Sequence, residues 1–168
     1  MYRQISCLVS VFVWCGGYVR AQSPATDPVL EWNAIMIQAT SAATTSGLIQ
    51  SRWAAIVHVS IFDAANSFTG DAEPYRGLQV TPRAGATVEA AVIAAAHYAL
   101  VHLLPDQQAA LDTQYASSLA ARHLTTSDPG IEVGEKAAAQ VLALRASDGS
   151  TTVGICITTG HATIRTTT

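Results

Sequence analysis

The chain has 168 residues, 49% of them hydrophobic and 12% charged, with a formal net charge of −3. That length suits one domain of ordinary size, and nine Lys or Arg against twelve Asp or Glu leave no basic footprint, which excludes nucleic acid as a partner. Three cysteines exclude a disulfide framework, because Cys7 and Cys15 lie in an apolar leader and Cys156 then has no mate.

The first element reads as a processing signal. Arg3 supplies a positive start, Ile5 to Cys15 (ISCLVSVFVWC) is apolar throughout, and Val19-Arg20-Ala21 puts small residues where a signal peptidase reads. The run is shorter than the roughly 17–25 residues of a membrane helix. The expectation is cleavage after Ala21, a secreted or periplasmic location, and no stable membrane span afterwards. A retained anchor, or a lipid-tethering use of Cys7 or Cys15, is the competing reading.

Residues 22–149 read as a helical domain. Asp27 and Pro28 form a cap-plus-proline start, followed by Val29, Leu30, Ile35, Met36 and Ile37, with Trp32 as an anchor on a neighbour. The Ser/Thr cluster from Thr40 to Ser46, closed by Gly47, predicts a break. Ser46 to Phe68 then reads as one long central helix. At about 100° per residue, Arg52, Ile56, Val59, Asp63 and Asn66 fall on one stripe of it. Apolar residues on the other sides predict enclosure, so those three polar side chains need partners inside the bundle or at its rim.

The segment TGDAEPYRGLQVTPRAG (Thr69 to Gly85) carries three Gly and two Pro and reads as a long loop pinned by Tyr75 and Leu78. Thr87 caps a third helix, Ala-rich and free of formal charge from Ala90 to Leu104, too short for a membrane span and so a core element. Pro105 and Asp106 open a fourth helix through His123, with Leu111, Tyr115, Leu119 and Arg122 repeating at helical spacing. Asp128 and Pro129 open a fifth, packing through Ile131, Ala138, Val141, Leu142 and Leu144 and ended by Gly149. The sum is an all-α bundle of about five mostly antiparallel helices. Residues 150–168 form an irregular Thr-rich tail with the β-branched content of a strand but no partner strand, and the expectation is that the reading frame or gene model departs from its parent near Thr152.

Few residues carry a chemical signal. His97 and His102 are five apart, about 140° around a helix, so they are not the i, i+4 pair of a zinc helix. Together with His58 they read as core or rim histidines bonded to backbone carbonyls. No G-x-S-x-G, Walker, GxGxxG or CxxC sequence occurs. Glu132 and Glu135 read as a solvated first turn. Asp63 and Asn66 are the more suggestive pair, but Arg52 lies roughly 16 Å along the axis from Asp63, which leaves no local triad.

DPVLEWNAIMIQAT (Asp27 to Thr40), SRWAAIVHVSIFDAANSF (Ser51 to Phe68), EPYRG (Glu73 to Gly77), AAAHYALVHLLPDQ (Ala94 to Gln107) and VGEKAAAQVLALRASDGS (Val133 to Ser150), in this order, resemble the amino-terminal half of bacterial vanadium-dependent haloperoxidases, relatives of the type-2 phosphatidic acid phosphatases. The resemblance implies an all-helical scaffold truncated before the catalytic helical half. That later half would hold vanadate or phosphate through a Lys or Arg followed by Arg-Pro, a Pro-Ser-Gly-His, and a Ser-Arg with a His six residues on. Several cationic donors would neutralise the oxyanion while an imidazole ligates or attacks. The first motif is missing here. Ser51-Arg52 with His58 fits the third spacing, and Thr159-Gly160-His161 faintly fits the second, in reversed order. The resemblance therefore implies no catalytic, cofactor-binding or metal residue in this chain, and vanadate only in the full-length family. The parent reaction would be peroxide-driven halide oxidation or phosphate-ester hydrolysis. The alternative is a free-standing secreted helical interaction module that self-associates through uncovered apolar helix faces.

Overall fold

The computed structural model describes residues 26–75 and 80–150, with the backbone of 157–158 and 161–162. The leader, Leu78 and Cys156 lie outside the described residues. Among them are five α-helices: α1 (Pro28–Ala42), α2 (Gly47–Thr69), α3 (Val88–Leu103), α4 (Gln108–Ala121) and α5 (Pro129–Arg145), with a 3-10 turn at Pro105–Gln107. The architecture is the all-α bundle expected from the sequence.

Side-chain oxygens start four of the helices. Asp27 accepts from the Val29 amide, Ser46 from Ile49, Thr87 from Ala90 and Asp128 from Gly130, each satisfying an amide that has no partner within the helix. Pro28 and Pro129 occupy first-turn positions where a missing N–H costs nothing. Gly70, at φ 64, ends α2 in the left-handed region. The break after α1 falls where expected, but Gly47 begins α2 instead of closing the gap.

The enclosed helix is α3, not the Ser46–Phe68 segment. Every residue from Ala90 to Ala96 is buried, as are Ala99 and Leu100, and the other four helices all pack on α3. Alanine on all sides lets neighbours approach from every direction. By contrast α2 leaves Leu48 85% and Phe62 44% exposed.

Successive helices alternate in direction. The start of α2 meets the end of α5 through Arg52, Arg145 and Asp148. The start of α1 meets the end of α4 through Trp32 and Ser118, while Gln107 reaches Ala39 near the other end. The most extensive contact is nevertheless parallel, between α3 and α5. Their first turns are tied together: Asp128 Oδ1 accepts from the Thr87 amide at 3.1 Å and the Gly130 amide at 2.7 Å, while Oδ2 accepts from the Thr87 hydroxyl at 2.8 Å. One turn further, the backbones touch. A Cβ placed on Gly134 would stand 2.1 Å from the Ala91 carbonyl oxygen and 2.7 Å from the Ala95 nitrogen, and one on Gly130 would stand 2.3 Å from the Thr87 oxygen. Gly130-x-x-x-Gly134 is thus a small-residue stripe facing the alanines of α3, a spacing that puts both glycines on one helix face.

Three boundaries differ from expectation. α5 stops at Arg145, four residues before Gly149, and Leu144 is 38% exposed because it falls on the outer side of that last turn. α4 starts after the 3-10 turn and ends at Ala121, before His123, whose φ of 56 breaks the helical run. In the tail, Ile157–Thr158 pairs antiparallel with His161–Ala162, so a partner strand does exist, in a hairpin too short to leave an alternating pattern. Among the described residues no single helix is long and apolar enough to cross a membrane.

Candidate functional site

The polar stripe of α2 does find partners inside and at the rim, as burial demands. Asn66 donates to the Ala72 carbonyl at 2.8 Å and accepts from its amide at 3.0 Å. Asp63, 3% exposed, accepts from the Tyr75 amide at 2.8 Å through Oδ1. Its Oδ2 has no partner among the described residues. Burial pushes the Asp63 carboxyl above its ordinary range, and the Tyr75 amide offsets part of that rise. Both side chains therefore anchor the loop after α2, whose Tyr75 is carried to α5.

There Tyr75 meets Arg145. The guanidinium lies 5.4 Å from the ring centroid and its Nη2 donates to the Tyr75 hydroxyl. Arg52 comes from the opposite side, with Nε and Nη2 on Asp148 Oδ2 at 3.3 and 3.1 Å and Nη2 also on the Arg145 carbonyl at 2.9 Å. Asp148 is held below the usual carboxylate range, first by the Ser150 hydroxyl and amide and then by Arg52. Arg52, Arg145 and Asp148 line one cavity of about 200 Å³ whose remaining wall is Ala55, Ile56, Val59 and Val141. A wider opening of about 330 Å³ shares Arg52, Ile56 and Arg145 and is bordered by His102 and Ser150.

The sequence singled out Arg52 but missed Arg145, Asp148 and Tyr75. Arg145 and Asp148 sit where a helix ends, and nothing local shows that the chain brings Arg52 to them from more than ninety residues away. Two guanidiniums therefore share a cavity where no cationic convergence is expected from the sequence.

Of the helical histidines only His102 borders these openings, and His58 does not join Arg52. His58 Nε2 lies 3.1 Å from Asn33 Oδ1 at the seam of α1 and α2, so the Ser51-Arg52…His58 spacing yields no common site. His97 Nε2 is 2.7 Å from Asp112 Oδ1, and its ring stacks on Tyr115 at 4.3 Å and meets Trp32 edge-on at 6.1 Å. Only His102 has the expected backbone partner, with Nδ1 2.8 Å from the Tyr98 carbonyl. The other two pair instead with a side-chain oxygen on a facing helix. Burial, reinforced by the Glu135 charge, pushes the Tyr115 phenol up to about 12. Glu132 bonds Lys136 at 2.7 Å and also Arg83, a solvated arrangement as expected. Behind Trp32 a buried network closes the α1–α4 contact: the indole donates to Ser118 Oγ at 3.2 Å, and Arg122, its side chain 3% exposed, bridges Ser118 and Glu31. Thr159 and Gly160 lie outside the described residues.

Among the described residues no three His, Cys, Asp or Glu side chains gather as metal ligands. In comparison with known proteins, no family model matches the chain, and neither a curated protein nor a solved structure does.

Proposed function

We propose that the five helices are a structural scaffold, the amino-terminal supporting half of an exported protein of the vanadium-dependent haloperoxidase or type-2 phosphatidic acid phosphatase kind, without turnover of its own. The observation that carries this reading is an uncovered apolar stripe. Leu30 and Ile37, seven apart on α1, are 64% and 53% exposed. On α2, Leu48, Ala55 and Phe62 repeat at the same spacing and are all exposed. The His58–Asn33 contact places the two helices side by side. Fully covering a Leu, Ile or Phe side chain is worth roughly 1.5–3 kcal/mol, so this face is a strong seat for a further helical layer, and contiguous exposed patches of this kind mark interaction surfaces.

The described side chains do not fit vanadate. Arg52 spends its Nε and Nη2 on Asp148 and a carbonyl, and the Asp148 carboxylate cancels one of the two guanidinium charges that would hold an oxyanion in this cavity. No step of halide oxidation or phosphate-ester hydrolysis is therefore routed through these residues. The Ile5–Cys15 run and Val19-Arg20-Ala21 support export, to the periplasm or beyond. The test is turnover: the purified chain is expected to oxidise no bromide with peroxide and vanadate and to hydrolyse no aryl phosphate, and either activity overturns the reading.

The same stripe supports a second reading, a self-associating interaction module. Sedimentation velocity separates the two. A monomer across the concentration range favours the scaffold, whereas a dimer abolished by Leu30→Glu and Phe62→Glu favours the module.

A further inference from the structure

We propose that the cavity between α2 and the end of α5 binds a small monocarboxylate with a short apolar tail. This goes beyond the scaffold reading and does not depend on it.

The argument begins with donors. A guanidinium carries five N–H groups and no acceptor. In Arg52 the Nε and Nη2 are engaged, while Nη1 has no partner among the described residues. Among the described residues the Arg145 side chain makes one hydrogen bond, from Nη2 to the Tyr75 hydroxyl, and its Nη1 and Nε have no partner there. Both side chains line the same cavity. The Arg145 plane is held by its place over the Tyr75 ring, and Arg52 is held by Asp148 and the Arg145 carbonyl. Fixed guanidinium forks suit the planar, two-oxygen head of a carboxylate.

Charge then selects the valence. Among the described residues, two guanidiniums against the one Asp148 carboxylate leave a single positive charge at the cavity, which a monoanion balances and a dianion overshoots. The other titratable group bordering the adjoining opening is His102, whose Nδ1 is already taken by the Tyr98 carbonyl. Shape selects the tail. The rest of the lining is Ala55, Ile56, Val59 and Val141, with no polar side-chain atom among them. The cavity of about 200 Å³ is the space of roughly six or seven liquid waters at ~30 Å³ each, enough for a chain of a few carbons. A ligand of this form puts its head on the arginines and its methylenes on the aliphatic wall.

Butyrate is the probe, titrated into the full chain at low salt and followed by ¹⁵N-edited NMR. Saturable shifts are expected at Ala55, Val59, Val141 and the Arg145 guanidinium, with affinity at least about tenfold above butanol, a ratio worth about 1.4 kcal/mol. Acetate is expected to bind more weakly, and phosphate and orthovanadate more weakly still. Arg145→Gln is expected to weaken butyrate about tenfold or more. Because that change also removes the Tyr75 contact, Ala55→Leu supplies an independent test at an exposed helix position: it fills the tail space and should weaken butyrate while sparing acetate. Butyrate that fails to saturate, phosphate that binds as tightly as butyrate, or butyrate affinity untouched by Ala55→Leu would each overturn the proposal. None of these results bears on turnover, so the scaffold reading stands or falls separately.

Discussion

Replacing Gly134 by alanine sets two effects of opposite sign against each other. Considered as one position in an isolated helix, alanine is better than glycine by about 1 kcal/mol. In this fold the added methyl would stand 2.1 Å from the Ala91 oxygen, 2.7 Å from the Ala95 nitrogen and 2.9 Å from the Ala94 Cβ. Two of those atoms are backbone of α3, which is buried on all sides and cannot step aside. The helices must separate by about 1 Å, and a gap of ~0.5–1 Å already forfeits a quarter to a half of each dispersion well along the interface. Overpacking of this severity costs about 3 kcal/mol, which outweighs the propensity gain and leaves a net loss of about 2 kcal/mol. For a domain of this size each kcal/mol moves Tm by roughly 3–5 °C, so calorimetry should show Gly134→Ala melting about 6–10 °C lower. Gly47→Ala, where nothing lies within 4 Å of the new methyl, is the control and should melt at or above the parent. A Gly134→Ala protein as stable as the parent would refute the close parallel packing of α3 on α5.

Asp128 accepts hydrogen bonds at the start of both α3 and α5, so Asp128→Ala is expected to cost about 2 kcal/mol in urea unfolding, twice the ~1 kcal/mol of a single lost cap; Asp27→Ala, which uncaps α1 alone, should cost half as much, and equal losses would contradict the shared cap. The Asp63 carboxyl is raised by burial, so its folded-state pKa lies above the unfolded one: its favourable contribution is complete below the ordinary carboxylate range and is lost as pH rises through the folded value. Asp63→Asn is therefore expected to become progressively more stable than the parent on going from pH 3 to pH 7, and a gap independent of pH would count against it. Tyr115, pushed up to about 12, should appear in an ultraviolet phenolate titration as a step above the ordinary tyrosine range. The stability tied to its protonated form is kept below the ordinary tyrosine range and lost as pH passes the raised value; Tyr115→Phe should remove that late step.

Helix existence was legible because its signals are local. Asp27-Pro28, Thr87 and Asp128-Pro129 each announce a helix by chemistry confined to one turn, and each helix begins there. Which helix would be central was not legible from hydrophobic richness. Apolar residues on most sides make α2 look enclosed, yet Leu48 and Phe62 lie on one stripe and face outward, whereas the small side chains of α3 admit neighbours on every side. The glycine pair of α5 was in plain view, but its role depends on which alanines stand opposite, a fact of the tertiary fold. The same holds for the Arg52–Arg145–Asp148 cavity. Its members come from distant segments, and Tyr75 reaches it because Asp63 and Asn66 fold the loop back onto α2. His58 followed the opposite course: a motif-like spacing from Arg52 set it apart, and helical geometry sent it to Asn33.

The proposed lack of turnover rests on a claim about cations, that the described helices bring two guanidiniums and a counter-carboxylate together and stop short of an oxyanion site. Equilibrium dialysis of the purified chain against orthovanadate addresses that claim directly. The account predicts no retained vanadate at micromolar concentration; one vanadate held per chain, released on Arg52→Ala or Arg145→Ala, would contradict it.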